Sequence, residues 1–254
     1  CKFYNLMYRY LIEIKYNGSK YFGWQVQPNK PTVQGEINKK ISIILSNTVN
    51  VIGCGRTDTG VHANQFFCHF DFDKKINLKD LKFKLNNFLS SSISIINILL
   101  VNQNFHSRFT AISRTYEYWI SNEKNPFLSE RSLYLIKPLD ISLFNYGASL
   151  LIGRKDFSSF CKTKSDVKNK ICNVSESICY RTQDMYVYKI KSNRFLHNMV
   201  RSIVGTLIEF SKKKITKNDL INIIDKKDRT KSGFSVPPCG LYLMNVEYPK
   251  NCFK

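Results

Sequence analysis

The order in which the hydrophobic period changes over the first hundred residues restricts the fold more than any other feature. Tyr8 to Tyr16 (YRYLIEIKY) alternates large apolar with polar side chains in the manner of a half-buried strand, and Asn17-Gly18-Ser19 ends it with turn chemistry. After a loop to Pro31, Thr32 stands as an N-cap before Val33, Ile37, Ile41, Ile44 and Leu45, which share one helical face. Val49 to Gly53 reads as a short strand, 55 to 63 as a polar loop bounded by glycine, and Gln65 to Phe72 as another strand. Leu78, Leu81, Leu85 and Phe88 mark a second amphipathic helix, and Ile93 to Val101 a buried strand. This β-α-β-β-α-β order is that of a split, ferredoxin-like sandwich with two helices on one face of an antiparallel sheet.

A second α+β pass begins beyond Phe109. Ser113 to Ile120 is expected as a strand, Ile141 to Leu151 as a helix, and Ile171 to Thr182 and Met185 to Lys191 as strands. Phe195 to Phe210 is apolar at Phe195, Leu196, Met199, Val200, Ile203, Val204, Leu207 and Ile208 and reads as one buried helix. A shorter helix near Asn218 to Ile224, a glycine and proline turn around Pro237 to Gly240, and a strand from Leu241 to Val246 complete the chain. The expectation is an α+β protein of two ferredoxin-like (RRM-like) sandwich subdomains, residues 1–108 and 109–254, joined near 102 to 112. A length of 254 residues suits two modest domains.

Composition narrows the function. With 43% hydrophobic and 23% charged residues the chain is globular and not disordered. Its longest apolar stretch, Ile93 to Val101, falls well short of the roughly 20 residues a membrane helix needs, and the first residues carry no apolar signal core. A cytoplasmic location is the default expectation. Thirty-nine Lys and Arg against 19 Asp and Glu give a net charge of +20, far beyond what solubility needs, which points to a polyanionic partner. With 29 Lys and only 10 Arg, AT-rich coding accounts for part of the excess, so the arginines are the more informative cations. Lys212 to Lys214 read as a solvated helix end. The eight cysteines form no C-x-x-C pair and no framework, and are expected as reduced, packed thiols. A zinc site from Cys54, His62, Cys68 and His69 fits none of the usual spacings and is discounted.

Four stretches carry the chemistry. In Gly55-Arg56-Thr57-Asp58-Thr59-Gly60-Val61-His62 two glycines bracket a short loop that can present Arg56 and Asp58 outward; an Asx turn is the plain alternative. Phe105-His106-Ser107-Arg108-Phe109 and Ser113-Arg114-Thr115-Tyr116 place arginine beside aromatic rings, a pattern suited to phosphates and stacked bases. Arg201 falls near the middle of the apolar 195–210 helix, where an unpaired cation is costly and a buried carboxylate is the natural partner.

These stretches, in order, resemble the TruA family of tRNA pseudouridine synthases over nearly the whole chain. Tyr16 to Gln25 looks like the family's opening strand and loop, and Gly55 to Ala63 like its catalytic loop. Phe105 to Phe109, Arg114-Thr115-Tyr116, Asp156 to Phe160, Phe195 to Glu209 and Gly240 to Leu243 follow in family order. Asn17, Thr59 and Lys155 depart from the family's usual Asp, Ala and His. The resemblance implies the pseudouridine synthase fold, a V-shaped homodimer with a basic cleft, and isomerisation of uridine at positions 38, 39 and 40 of the tRNA anticodon arm. It implies neither a cofactor nor a metal.

On that resemblance Asp58, Tyr116 and Arg201 are the catalytic candidates. Asp58 acts at C1′, either as nucleophile or by promoting a glycal route; Arg201 keeps it ionised and oriented; Tyr116 stacks on the extruded base with its hydroxyl near enough for proton transfer. Arg56 and His62, with Arg108 and Arg114, are the expected substrate contacts. A non-catalytic RNA-binding protein of two RRM-like sandwiches accounts for the charge and the rings but not for Asp58 and Arg201, and a metal-dependent nuclease calls for more carboxylates than the loop offers.

Overall fold

The computed structural model describes residues 7–162, 167–183 and 185–252. Cys1, one of the eight cysteines, lies outside them. The chain forms two compact units, residues 1–112 with 243–254 and residues 113–242. The C-terminal stretch, counted with the second half in the sequence reading, thus packs with the first unit.

In the first unit β1 (Tyr8–Tyr16) is the central strand, flanked antiparallel by β3 (His62–Phe72) and β4 (Ile93–Val101), while β2 (Ile52–Gly53) adds to β3. Helices α1 (Val33–Leu45) and α2 (Leu78–Phe88) supply the apolar layer. Leu11, Ile12, Ile14, Ile37, Ile41, Phe66 and Leu85 are fully buried. The helix starts follow from capping: Thr32 Oγ1 accepts from Gly35 N–H at 3.3 Å, and Asn77 Oδ1 from Asp80 N–H at 3.2 Å. The strand expected over 49–53 shrinks to two residues for a specific reason. Side chains of α1 take over its main-chain bonds, Ser42 Oγ accepting from Val49 N–H and Asn38 Oδ1 from Val51 N–H, each at 2.9 Å.

The second unit holds the strands β5 (Ser113–Ser121), β6 (Leu133–Tyr134), β7 (Gly153–Asp156), β8 (Ile171–Arg181) and β9 (Met185–Ser192). Their order is β5-β9-β8-β7, antiparallel, with β6 parallel to β5. Helix α3 (Ile141–Ser149) packs on β8 and on α4 (Met199–Ser211), and α5 (Lys217–Asp225) opens with a Thr216/Asp219 capping box. The final strand β10 (Leu241–Glu247) has its first two residues in this unit and the rest in the first, where Val246 N–H donates to Gln65 Oε1 at 3.0 Å.

One expectation is corrected. Helix α4 begins at Met199 and not at Phe195, because Asn198 is left-handed (φ +67°) and breaks the helical run. Arg201 is therefore the third helical residue and not a mid-helix one.

Candidate active site

Asp58 sits on a loop that the first unit holds with main-chain atoms. The carbonyl of Thr57 accepts from Trp24 N–H at 3.2 Å, Gly60 N–H donates to Tyr21 O at 3.2 Å, and Val61 N–H closes the turn onto Asp58 O at 3.2 Å. Gly60 permits that turn with φ +78°. Two glycines of the preceding loop let the chains touch. A Cβ at Gly18 would lie 1.9 Å from Val61 O, and one at Gly23, itself at φ +86°, 2.5 Å from Thr57 O. The buried hydroxyls of Tyr16 and Thr57 add a bond of 2.9 Å. Tyr16 to Gln25, whose sequence alone carries no sign of this job, is the bed on which the Asp58 loop lies. The Asp58 side chain is half-buried, and Arg56 and Thr59 beside it are exposed.

His62 was expected to reach substrate. It is 3% exposed, and its Nδ1 accepts from Gly18 N–H at 3.1 Å, so in this structure it ties the loop to its bed. Asn17, where the family usually has Asp, caps its own turn by accepting from Ser19 N–H at 3.0 Å.

Arg108 lies elsewhere in the first unit. Arg9 fixes its segment, gripping Asp71 with two nitrogens at 2.7 Å each and donating from the third to the carbonyls of Gln103 and Phe105. The pairing holds the Asp71 carboxyl below its ordinary range, with the Arg9 hydrogen bond as the main cause. His106 Nδ1 accepts from the amides of Arg108 and Phe109, so the turn is stiff. It presents an exposed guanidinium 5.6 Å from the centre of the Phe109 ring, which is itself 76% exposed.

In the second unit Tyr116 lies on β5 opposite Ile190, half-buried, and meets Phe195 edge-on with ring centres 4.9 Å apart. Arg114, two residues earlier on the same strand, donates to Asn193 O at 3.0 Å. Arg201 is half-buried; its Nε donates to Val236 O at 2.7 Å, and its own carbonyl accepts from Val236 N–H at 3.2 Å. Tyr118, on the same face of β5 as Tyr116, donates to Pro237 O at 2.8 Å. The β5 strand and the start of α4 thus meet through residues 236 and 237. The structure collects Asp58 and Arg56 on one loop of the first unit with His62 at the start of β3 just after it, and Tyr116, Arg114 and Arg201 around β5 and α4 of the second.

Cys54, Cys68, Cys161, Cys172 and Cys179 are buried, and burial pushes the Cys179 thiol up to about 12. Among the described residues no three His, Cys, Asp or Glu side chains are grouped to hold a metal, and no helix is long and apolar enough to cross a membrane.

The structure is thus an α+β chain of two units, the first with Asp58 on a glycine-bedded loop and the second with Tyr116 on β5 and Arg201 at the start of α4. The family model described as tRNA pseudouridine synthase matches residues 12–110 and 148–249, and the chain belongs to that family, whose members are isomerases. Arg56, Asp58, His62, Arg108 and Arg201 fall within the matched stretches, and Arg114 and Tyr116 between them. It is 43% identical over 248 residues to the tRNA pseudouridine synthase A of Azobacteroides pseudotrichonymphae genomovar. CFP2, covering 98% of this chain and all of that protein. It is 41% identical to the enzyme of the same name from Parabacteroides distasonis, over 97% of this chain and 98% of the other. The namesake from Caldicellulosiruptor saccharolyticus is 39% identical over 94% of this chain and 98% of its own length.

Proposed function

We propose that the chain isomerises uridine to pseudouridine at positions 38 to 40 of the tRNA anticodon arm, in the cytoplasm, as a homodimer, with no cofactor or metal. The reaction breaks the N1 to C1′ bond, turns the base and joins C5 to C1′. It is redox-neutral, so the groups it needs are a carboxylate, a surface to hold the extruded base and a route for one proton. The observation that carries the reading is the half-buried Asp58 side chain on a loop fixed by the main chain of residues 16–24. Such a fixed carboxylate can act at C1′, as nucleophile or by promoting a glycal route.

The domain roles follow the residues: the N-terminal half, expected as 1–108, carries Asp58, and the C-terminal half, expected as 109–254, carries Tyr116 and Arg201. Tyr116 supplies a ring for stacking and a hydroxyl for the proton, and Arg201 the counter-charge to the carboxylate. Arg56, Arg108 and Arg114 are the RNA contacts. His62 serves binding through the loop that it ties down.

The test is a purified chain, chelator present, with an anticodon-arm transcript carrying tritium at uridine C5. Turnover releases the label, because forming the C5 to C1′ bond expels the C5 hydrogen. No release, with the transcript bound, would leave an RNA-binding protein of two RRM-like sandwiches. Binding strength should fall linearly with log salt, by several logarithmic units per unit. Arg108→Gln and Arg114→Gln should each reduce that slope by about one, whereas changing Lys212, Lys213 and Lys214 together should leave it unchanged.

A further inference from the structure

The segment Ser232 to Val236 follows Arg229 as an irregular strap across the first turns of α4. It has neither helical nor strand bonds to fix it, yet its last residue holds Arg201 at two points, through Nε and through the carbonyl. Whatever sets the position of Val236 therefore bears on the position of the Arg201 guanidinium.

The central group in that strap is Arg229. One terminal nitrogen donates to Ser232 Oγ at 2.6 Å and to Gly233 O at 3.3 Å, and the other to Ser235 Oγ at 2.9 Å. All of these acceptors are neutral oxygens within six residues, so the planar fork works as a template for the turn. The strap is then pinned to α4 by neighbours of Arg201. Asn198 Nδ2 donates to the same Ser235 Oγ at 2.5 Å, Gly233 N–H to Thr206 Oγ1 at 2.8 Å, and the hydroxyls of Ser202 and Ser232 lie 3.3 Å apart. Helix and strap touch closely: a Cβ on Gly205 would come within 1.8 Å of Phe234 O.

We infer that Arg229 is a positioning residue for the reaction, acting through the Ser232–Val236 strap to fix the Arg201 guanidinium, and touching neither substrate nor reacting atoms itself. The inference rests on the reading of Arg201 as part of the catalytic machinery. A lysine at 229 keeps the charge but offers one point donor in place of a fork, and so cannot hold Ser232 and Ser235 together. The loss of activity should therefore follow the fork and not the charge.

The experiment is a kinetic cycle on the full-length enzyme with Arg229→Lys, Arg201→Lys and the double variant, each checked by thermal melting. Arg229→Lys should lower kcat by about ten to a hundredfold, the size expected of a misplacement near 1 Å, with KM for tRNA moved less than about threefold. In the Arg201→Lys background the same change should cost less than about twofold, because the group it positions is already gone. Ser235→Ala removes one end of the template without touching a charge. It should lower kcat about three to tenfold, and it keeps the question open to test if Arg229→Lys does not fold. An undiminished effect of Arg229→Lys, or of Ser235→Ala, in the Arg201→Lys background overturns the inference alone. Full activity of Arg201→Lys by itself overturns the reading of Arg201 beneath it.

Discussion

The first unit ties down its irregular segment 55–61 mainly with main-chain bonds and glycine contacts, whereas the second adds to one main-chain bond and one glycine contact on 232–236 a web of arginine, asparagine, serine and threonine side chains. On the proposed function both segments matter through one residue, Asp58 in the first and Arg201 beneath the second. The means differ in what they tolerate. A main-chain bed is blind to most side-chain changes but cannot yield to an added atom. A side-chain web can shift as a body, and loses its register when one member is removed. Stability should therefore be the sensitive quantity at the Asp58 loop, and turnover at the strap.

The largest expected effect isolates chemistry from scaffold. Asp58→Asn keeps the shape of the side chain and every main-chain bond of the loop, so the melting temperature and tRNA affinity should stay close to those of the parent while turnover falls at least about a thousandfold. Tritium release measures it. Pseudouridine formed at an appreciable fraction of the parental rate would remove the carboxylate from the centre of the reaction.

Next in size is a matched pair of glycines, each with a loop carbonyl where a Cβ would go, 1.9 Å away at Gly18 and 1.8 Å at Gly205. Gly18→Ala should cost about 3 kcal/mol or more, since neither bed nor loop can move without breaking main-chain bonds. Gly205→Ala lies inside a helix, where alanine regains up to about 1 kcal/mol, and the strap above it can slide. It should destabilise less and reduce kcat more. Chemical denaturation with parallel kinetics decides it, and equal stability losses would erase the contrast.

How much of this was legible in the sequence depends on where the partner of each residue lies. Strands β1 and β4 and helix α1 run where the periodicity runs, because alternation and the Thr32 cap are local signals. The start of α4 was misjudged by four residues, since Phe195 and Leu196 keep the helical period while the break is made by the conformation of Asn198. Strand β7 was unforeseen, because Arg154, Lys155 and Asp156 carry no apolar alternation. Asp58, Tyr116 and Arg201 stood out through their contrast with glycine, arginine-rich and apolar surroundings. Arg229, Ser232, Ser235 and Asn198 did not. They are ordinary loop residues until the fold brings position 198 to position 235, and Gly18 shows its purpose only once Val61 is found against it.

A pH effect confined to the first unit comes next. His69 on β3 is 1% exposed, and burial, with Arg9 and His106 nearby, lowers its pKa to about 4, while Asp71 opposes the shift. The folded ring stays neutral where the unfolded one, near 6.5, takes a proton. Stability should thus decline as the pH falls from 6.5 to about 4, with no further loss from this group below that. After allowance for solvent screening the loss should be about 2 kcal/mol. Hydrogen exchange of β3 amides would follow it, and His69→Gln should flatten the profile; an unchanged slope in that variant would assign the effect to other groups.

The smallest expected effects form the sharpest comparison, because they remove a single hydroxyl from each segment. Tyr16→Phe deletes the partner of the buried Thr57 hydroxyl, which should cost about 1 to 2 kcal/mol, yet Trp24, Tyr21 and Gly60 still hold the loop by main-chain bonds and kcat should change less than about twofold. Ser202→Ala removes a longer and weaker contact, 3.3 Å, from a buried side chain, and should cost about 1 kcal/mol or less. It also frees one tie between α4 and the strap one residue from Arg201, so its kcat should drop about two to threefold. Melting temperatures and single-turnover rates of the two variants give opposite rankings on this account. The same ranking in both measurements would mean that the two segments are held by one kind of construction, and that the side-chain web is no more delicate than the main-chain bed.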